Sequence, residues 1–329
     1  MKTTLFFIVI TILSISIHAE SEHDIYGDAW IVPGYDSMIS LKDMDQNRLE
    51  SEGKFFERTG FSFNWMSDKF FAGTTGEFFL VPAGSEYSRI DTDISGGMFL
   101  YKNDWEFSGT LVYHYAAHDF DKLRSYFSDV FFYGDLFYYH SDQFSSYLSL
   151  KTGFYKSHAD IIDYLTGPSV GLEIGEYYYP GGKRDVIRAG ASATFTFFKK
   201  EENIPYSLSD ESFVEITREN NAMLLEAFIK SKFFFKSFFI YFAGTYFHDY
   251  RLKQEIRDTG YSGKKKRRID KRFLLETEFG KSFSEVFELL VRYNGSRNFS
   301  SLDASEEDLD YIDWNYSRHM FELSMRINY

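Results

Sequence analysis

From residue 54 to the C-terminus, apolar and polar residues alternate in long runs. At the end of the chain Phe321, Leu323, Met325, Ile327 and Tyr329 fall on one side of the alternation, and Arg318, Glu322, Ser324, Arg326 and Asn328 on the other. Residues 286–296 repeat the pattern, with Phe287, Leu289, Val291 and Tyr293 against Glu288, Arg292, Asn294 and Ser296. So do residues 272–281 and 187–197; in the latter Ile187, Ala189, Ala191, Ala193, Phe195 and Phe197 oppose Arg188, Gly190, Ser192, Thr194 and Thr196. A period of two means a strand with one apolar face and one polar face.

Read this way, strands are predicted over 54–66, 70–81, 88–101, 105–117, 125–140, 142–156, 165–179, 185–199, 219–235, 238–250, 271–282, 286–297 and 315–329. They run to roughly 10–16 residues, against about 5–6 in soluble sheets. A soluble sandwich buries its apolar face between two sheets, whereas here the second face carries Gly, Ser, Thr and pairable charges. That combination predicts an all-β fold, a transmembrane antiparallel up-and-down barrel with apolar residues toward lipid and polar ones inward. The connections alternate in length. Short ones fall at 67–69, 102–104, 141–142, 180–183, 236–237 and 282–284, and longer ones at 82–87, 117–124, 157–164, 200–216, 251–270 and 298–314. This is the asymmetry of periplasmic turns and external loops. Such barrels have even strand numbers, so one more strand must precede residue 54, and 28–46 is the candidate despite Pro33. The expectation is about 14 strands. Twelve is the alternative, if the first hairpin belongs to a periplasmic segment. The loops at 200–216 and 251–270 are long enough to fold over or into the mouth.

Composition agrees and narrows the class. The 329 residues include 37 Phe, 25 Tyr and 4 Trp, with 5 Pro and no Cys. Mean hydropathy is nevertheless −0.33. The aromatic load excludes disorder. The missing Cys excludes disulfides, Cys-ligated metals and a lipidated N-terminal Cys. A net charge of −13 argues against nucleic acid as a partner. Aromatics at strand ends, such as Trp65, Trp105, Tyr138, Tyr178 and Trp314, suit the interface girdles of a barrel. Met1-Lys2, the apolar run 5–13 and the small, polar stretch ending at Ala19 read as a signal peptide over 1–19, with a short membrane anchor as the alternative. The predicted organisation is therefore a signal peptide at 1–19, an N-terminal segment at 20–53 contributing the first strand, and a barrel at 54–329. No later run is long and apolar enough for a membrane helix.

Several constellations carry possible chemistry. Inward charges are expected at Arg58, Glu77, Glu106, Asp129, Asp135, Lys151, Glu173, Arg188, Glu226, Lys230, Lys232, Arg272, Glu276, Glu288, Arg292, Arg318, Glu322 and Arg326, with Asp93 and Glu278 beside them. They read either as an ion-pair ladder satisfying a polar interior or as charge rings tuning a water-filled pore. Their signs nearly balance, which predicts weak ion selectivity. Lys264, Lys265, Lys266, Arg267 and Arg268 form a basic external loop suited to lipopolysaccharide phosphates or anionic glycans, or simply to water. Ser305 to Asp310 is acidic enough for Ca²⁺ but lacks the turn glycine of a calcium loop. No Gly-x-Ser-x-Gly elbow or His-Glu-x-x-His run is present, so neither an enzyme nor a metal or other cofactor is expected.

On these residues the chain resembles Gram-negative outer-membrane β-barrel proteins of the porin-like type. Phe321-x-Leu323-x-Met325-x-Ile327-x-Tyr329 looks like the terminal signal read by the barrel-assembly machinery. Arg268-x-Asp270, Tyr293-Asn294-x-x-Arg297-Asn298-x-Ser300 and Tyr316-Ser317-Arg318-His319 resemble the C-terminal barrel of surface-lipoprotein assembly modifiers and exopolysaccharide-export proteins. The first resemblance implies the outer membrane, with its lipid and lipopolysaccharide as surroundings, and a passive channel for small hydrophilic solutes. The second implies the alternative of an export or assembly conduit for polysaccharide or lipoprotein. A closed structural or adhesive barrel is the third reading.

Overall fold

The computed structural model describes residues 24–39, 52–82, 88–118, 124–158, 166–180, 184–198, 200–207, 213–253, 269–284, 286–300 and 316–328. Its strands are β1 (Asp24–Ile39), β2 (Glu52–Met66), β3 (Phe70–Leu80), β4 (Arg89–Lys102), β5 (Trp105–His118), β6 (Arg124–Ser141), β7 (Phe144–Ser157) and β8 (Gly167–Tyr178). They continue as β9 (Val186–Thr196), β10 (Lys200–Ser207), β11 (Phe213–Phe235), β12 (Phe238–Lys253), β13 (Ile269–Ser282), β14 (Phe287–Ser300) and β15 (Tyr316–Asn328). Neighbours in sequence pair antiparallel. The ring closes because β15 pairs with β1 and β11 with β9, giving a closed barrel of 14 strands. Closure leaves no free sheet edge, which is the condition for crossing a hydrocarbon layer with strands. The first hairpin is part of the ring, so the 12-strand alternative falls.

Two expectations change in detail. The first strand begins at Asp24 and its described part ends at Ile39, earlier than the expected 28–46. Pro33 lies within it. The recorded pairing with β15 runs through Ile31↔Met325, skips Val32 and Pro33, and resumes in the same register at Gly34↔Glu322. A missing N–H removes a rung without shifting the ladder. Residues 200–207 and 213–216, expected within a loop, instead lie in strands: β10 pairs with the first part of β11 beyond the ring. The register sets Lys200 opposite Glu219 and Glu201 opposite Arg218.

Tight turns close the short end. Asn103 and Lys236, at the two-residue turns after β4 and β11, adopt positive φ of 54° and 55°, as tight hairpins require. Both termini of the ring lie at this end, the one that the loop-length asymmetry predicts to be periplasmic. Trp65, Trp105, Tyr138 and Tyr178 lie there too, with the Trp105 and Tyr138 rings 4.6 Å apart. Trp314 lies outside the described residues.

The alternation sorts the side chains into two environments. Outward positions expose apolar groups to a degree no water-soluble surface shows: Ile94 is 56% exposed, Leu111 55%, Ile174 55% and Val291 53%. Of the terminal-strand motif, Phe321, Leu323, Met325 and Ile327 all point outward, and Tyr329 lies outside the described residues. Inward positions carry the charges, hydroxyls and many of the glycines. This is the architecture of outer-membrane-type barrels.

Candidate functional site

The inner face is where the chemistry collects. The register places every sequence-expected inward charge, from Arg58 to Arg326, on that face. It adds charges the alternation had not supplied. Among the described side chains Asp24, Asp28, Asp36, Asp91, Asp249 and Asp270 also turn inward, against Lys54 and Arg89. The near balance of sign expected from the sequence therefore tips toward acid.

Around the seam where the first and last strands meet, cations are neutralised by carboxylates. Glu278, Arg292 and Glu322 are direct cross-strand partners on β13, β14 and β15. Arg292 donates from Nε to Glu278 at 2.7 Å and from Nη1 to Glu322 at 3.4 Å. Glu322 also accepts from Arg58, whose other nitrogen is 3.6 Å from Glu77. The result is a continuous chain, Glu77–Arg58–Glu322–Arg292–Glu278, crossing the seam. The Glu322 side chain is 1% exposed, so two guanidinium groups replace nearly all of its water. Trp30 Nε1 donates to Glu77 at 3.3 Å. It reaches there because residue 60 is glycine: a Cβ on Gly60 would stand 2.4 Å from the indole. Nearer the external end, Arg318 Nε donates to both Asp36 oxygens at 2.9 Å.

Farther round the barrel, cations rest on rings. Lys151 Nζ is 4.1 Å from the centroid of Phe131, and Lys232 Nζ is 4.0 Å from that of Phe239. Lys230 lies 4.8 Å from Phe228, and Arg272 lies 4.4 Å from Phe247. Arg188 sits among Tyr147, Phe228 and Tyr177 at 4.7, 5.1 and 5.3 Å, and is also paired with Glu173. Tyr147 donates to Glu173 at 2.5 Å. A ring attracts a cation through its quadrupole and leaves its net charge in place.

Between these walls β4–β6 carry an acidic strip. Asp91 pairs with Arg89 at 2.6 Å, and Asp93 meets His114 Nδ1 at 2.7 Å. Glu106 accepts from Tyr139 at 2.5 Å, and Asp135 accepts from Ser108 at 3.2 Å. An inner recess of about 450 Å³ opens beside β6–β12. Ser149, Ser192, Thr194 and Thr196 supply hydroxyls, and Lys151, Glu173, Glu226 and Asp249 its charges. Glu288 and Arg326 are cross-strand partners near the periplasmic end, and Glu276 lies opposite Asn294.

Two Ser–His contacts were not visible in the sequence. Ser128 Oγ is 2.8 Å from His158 Nε2, and His140 Nε2 is 2.7 Å from Ser146 Oγ. A nucleophilic site needs a third group orienting the imidazole and donors for the oxyanion. Among the described residues neither histidine has an acidic partner. The basic run Lys264–Arg268 and the acidic run Ser305–Asp310 lie outside the described residues.

No protein-family model and no curated protein sequence matches the chain. Among solved structures it is similar to a bacterial polysaccharide outer-membrane secretin, at 7% identity over 92% of this chain and 98% of that one, with a TM-score of 0.48. It is also similar to the outer-membrane channel DcaP of Acinetobacter baumannii, at 10% identity over 95% and 99%, with a TM-score of 0.44. A third is an outer-membrane channel from Pseudomonas putida F1, at 8% identity over 95% and 100%, with a TM-score of 0.44. The barrel itself is established by the strand pairings.

Proposed function

We propose that the chain is exported through its 1–19 signal, assembled by the barrel machinery into the outer membrane, and acts there as a passive channel for small hydrophilic solutes. The observation that carries this reading is the inner recess, whose Lys151 and Glu226 are unpaired among the described residues and lie among hydroxyls. A filled structural barrel needs its interior charges matched, because an unmatched buried charge is costly. Unpaired charges on an inner wall are inexpensive where water and ions reach them, and they then act on what passes. The acidic excess of the inner face favours cations over anions. The export-conduit alternative gains no separate support from the residues of the inner face.

Planar-bilayer recording of the refolded full-length protein tests the reading. The expected result is stable, reproducible conductance steps and a reversal potential on the cation-selective side in a salt gradient. A folded, heat-modifiable barrel that inserts and stays silent would overturn it and leave the closed structural barrel.

A further inference from the structure

The outer face of β9 and β11–β15 departs from a uniform lipid-facing surface. A groove of about 920 Å³ crosses it, outside the lumen. Its line is set by consecutive cross-strand partners, Ala189, Ile229, Gly244, Leu275, Gly295 and His319. Gly244 gives it a floor without a side chain, the Tyr293 side chain lies over Gly295, and Phe273 and Tyr246 wall it. Five interstrand spacings of about 4.8 Å make it roughly 24 Å long, enough for an extended acyl chain.

The end toward the long loops is cationic. Arg297 lies at the groove, and Lys271 stands one outward position above Phe273 on the adjoining strand. His319 lies beside them, its Nδ1 2.9 Å from the Tyr293 hydroxyl. Arg297 rests on the Phe299 ring at 4.9 Å. Neither Arg297 nor Lys271 has a carboxylate partner among the described residues. Nor does any described Asp or Glu point outward from β12, β13, β14 or β15. An outward Lys or Arg costs about 2–4 kcal/mol at the bilayer midplane and little at the interface. Two on adjoining strands therefore mark the headgroup level of the external leaflet. What they lack is an anion, and the stretch of groove over Gly244 lacks an apolar filler.

We propose that this face seats a phosphorylated glycolipid of the external leaflet, its phosphates on Lys271 and Arg297 and one acyl chain in the groove over Gly244. The site is independent of the channel reading, because none of its cations faces the lumen. Each interfacial cation contributes about 5-fold to the affinity for an anionic lipid.

The test is native mass spectrometry of the full-length protein in mild detergent, titrated with deep-rough lipopolysaccharide, phosphatidylglycerol or phosphatidylethanolamine. Wild type should retain one lipopolysaccharide in preference to either phospholipid. Lys271→Glu with Arg297→Glu should weaken retention at least about 25-fold. Gly244→Leu should abolish retention by filling the groove. A Cβ at Gly244 meets only Ile229 Cγ2, at 4.0 Å, so that variant should fold. Lys156→Glu, on the outer face of β7, should retain the lipid as wild type does. Equal retention by all four proteins would overturn the proposal. So would equal retention of phosphatidylglycerol, or a wild-type dimer that excludes lipid. Gel mobility that shifts on heating confirms that each variant is folded.

Discussion

On the side of the barrel where the first and last strands meet, Arg58, Arg292 and Arg318 end on carboxylates, and Glu322 and Asp36 are almost wholly buried by them. Farther round, Lys151, Lys230, Lys232 and Arg272 end on aromatic rings. The same residue types thus serve two purposes. At the seam the charge is cancelled, and what remains is a set of directional contacts that hold strands far apart in the sequence in one register. On the ring-backed wall the side chain is held but its charge persists. One wall closes the barrel, and the other leaves a field in the lumen.

Breaking the seam should have the largest effect. Glu322→Ala leaves Arg58 and Arg292 facing each other without their shared carboxylate, and should lower unfolding stability by about 3 kcal/mol. The check is the denaturant midpoint of the refolded barrel in detergent. The lipid face comes next: Ala191→Arg should cost roughly 2–4 kcal/mol near the bilayer midplane. A neutral result there would mean that β9 is turned the other way. Removing a ring-held cation should cost less. Lys232→Ala should lower stability by about 1 kcal/mol, measured in the same way, and a loss matching Glu322→Ala would erase the distinction between the walls. The clearest effect on transport, rather than on stability, belongs to Arg188, Lys230 and Lys232 changed together to Glu. Reversal potentials should move further toward cations, whereas Glu278→Gln at the seam should move them little.

Much of this was legible in the sequence. A strict period of two fixes which face a residue occupies, so the strand positions and the inward charges from Arg58 to Arg326 followed from counting. Partners did not. Arg58 and Glu322 are 264 positions apart, and their meeting depends on the register of β1 against β15, which no local pattern encodes. Asp36 went unseen because it lies on the strand whose alternation Pro33 weakens. Arg89 and Asp91 share a face with Asp93, and the same period, extended two steps back, would have found them. The pairing of β10 with β11 was hidden by the charge density of that stretch, which resembles a solvated loop. The cation–ring contacts were hidden because alternation says nothing of how a long side chain leans across the wall.

The central claim is that solutes move along the inner face, and the absence of cysteine allows a direct test. Ser192, inward in the recess, and Ala191, its outward neighbour, are each replaced by the only thiol in the chain. A charged, membrane-impermeant thiol reagent is then added during single-channel recording. The account predicts a discrete fall in conductance for Ser192→Cys and none for Ala191→Cys. An unchanged conductance at Ser192→Cys, or a fall at Ala191→Cys, would contradict it.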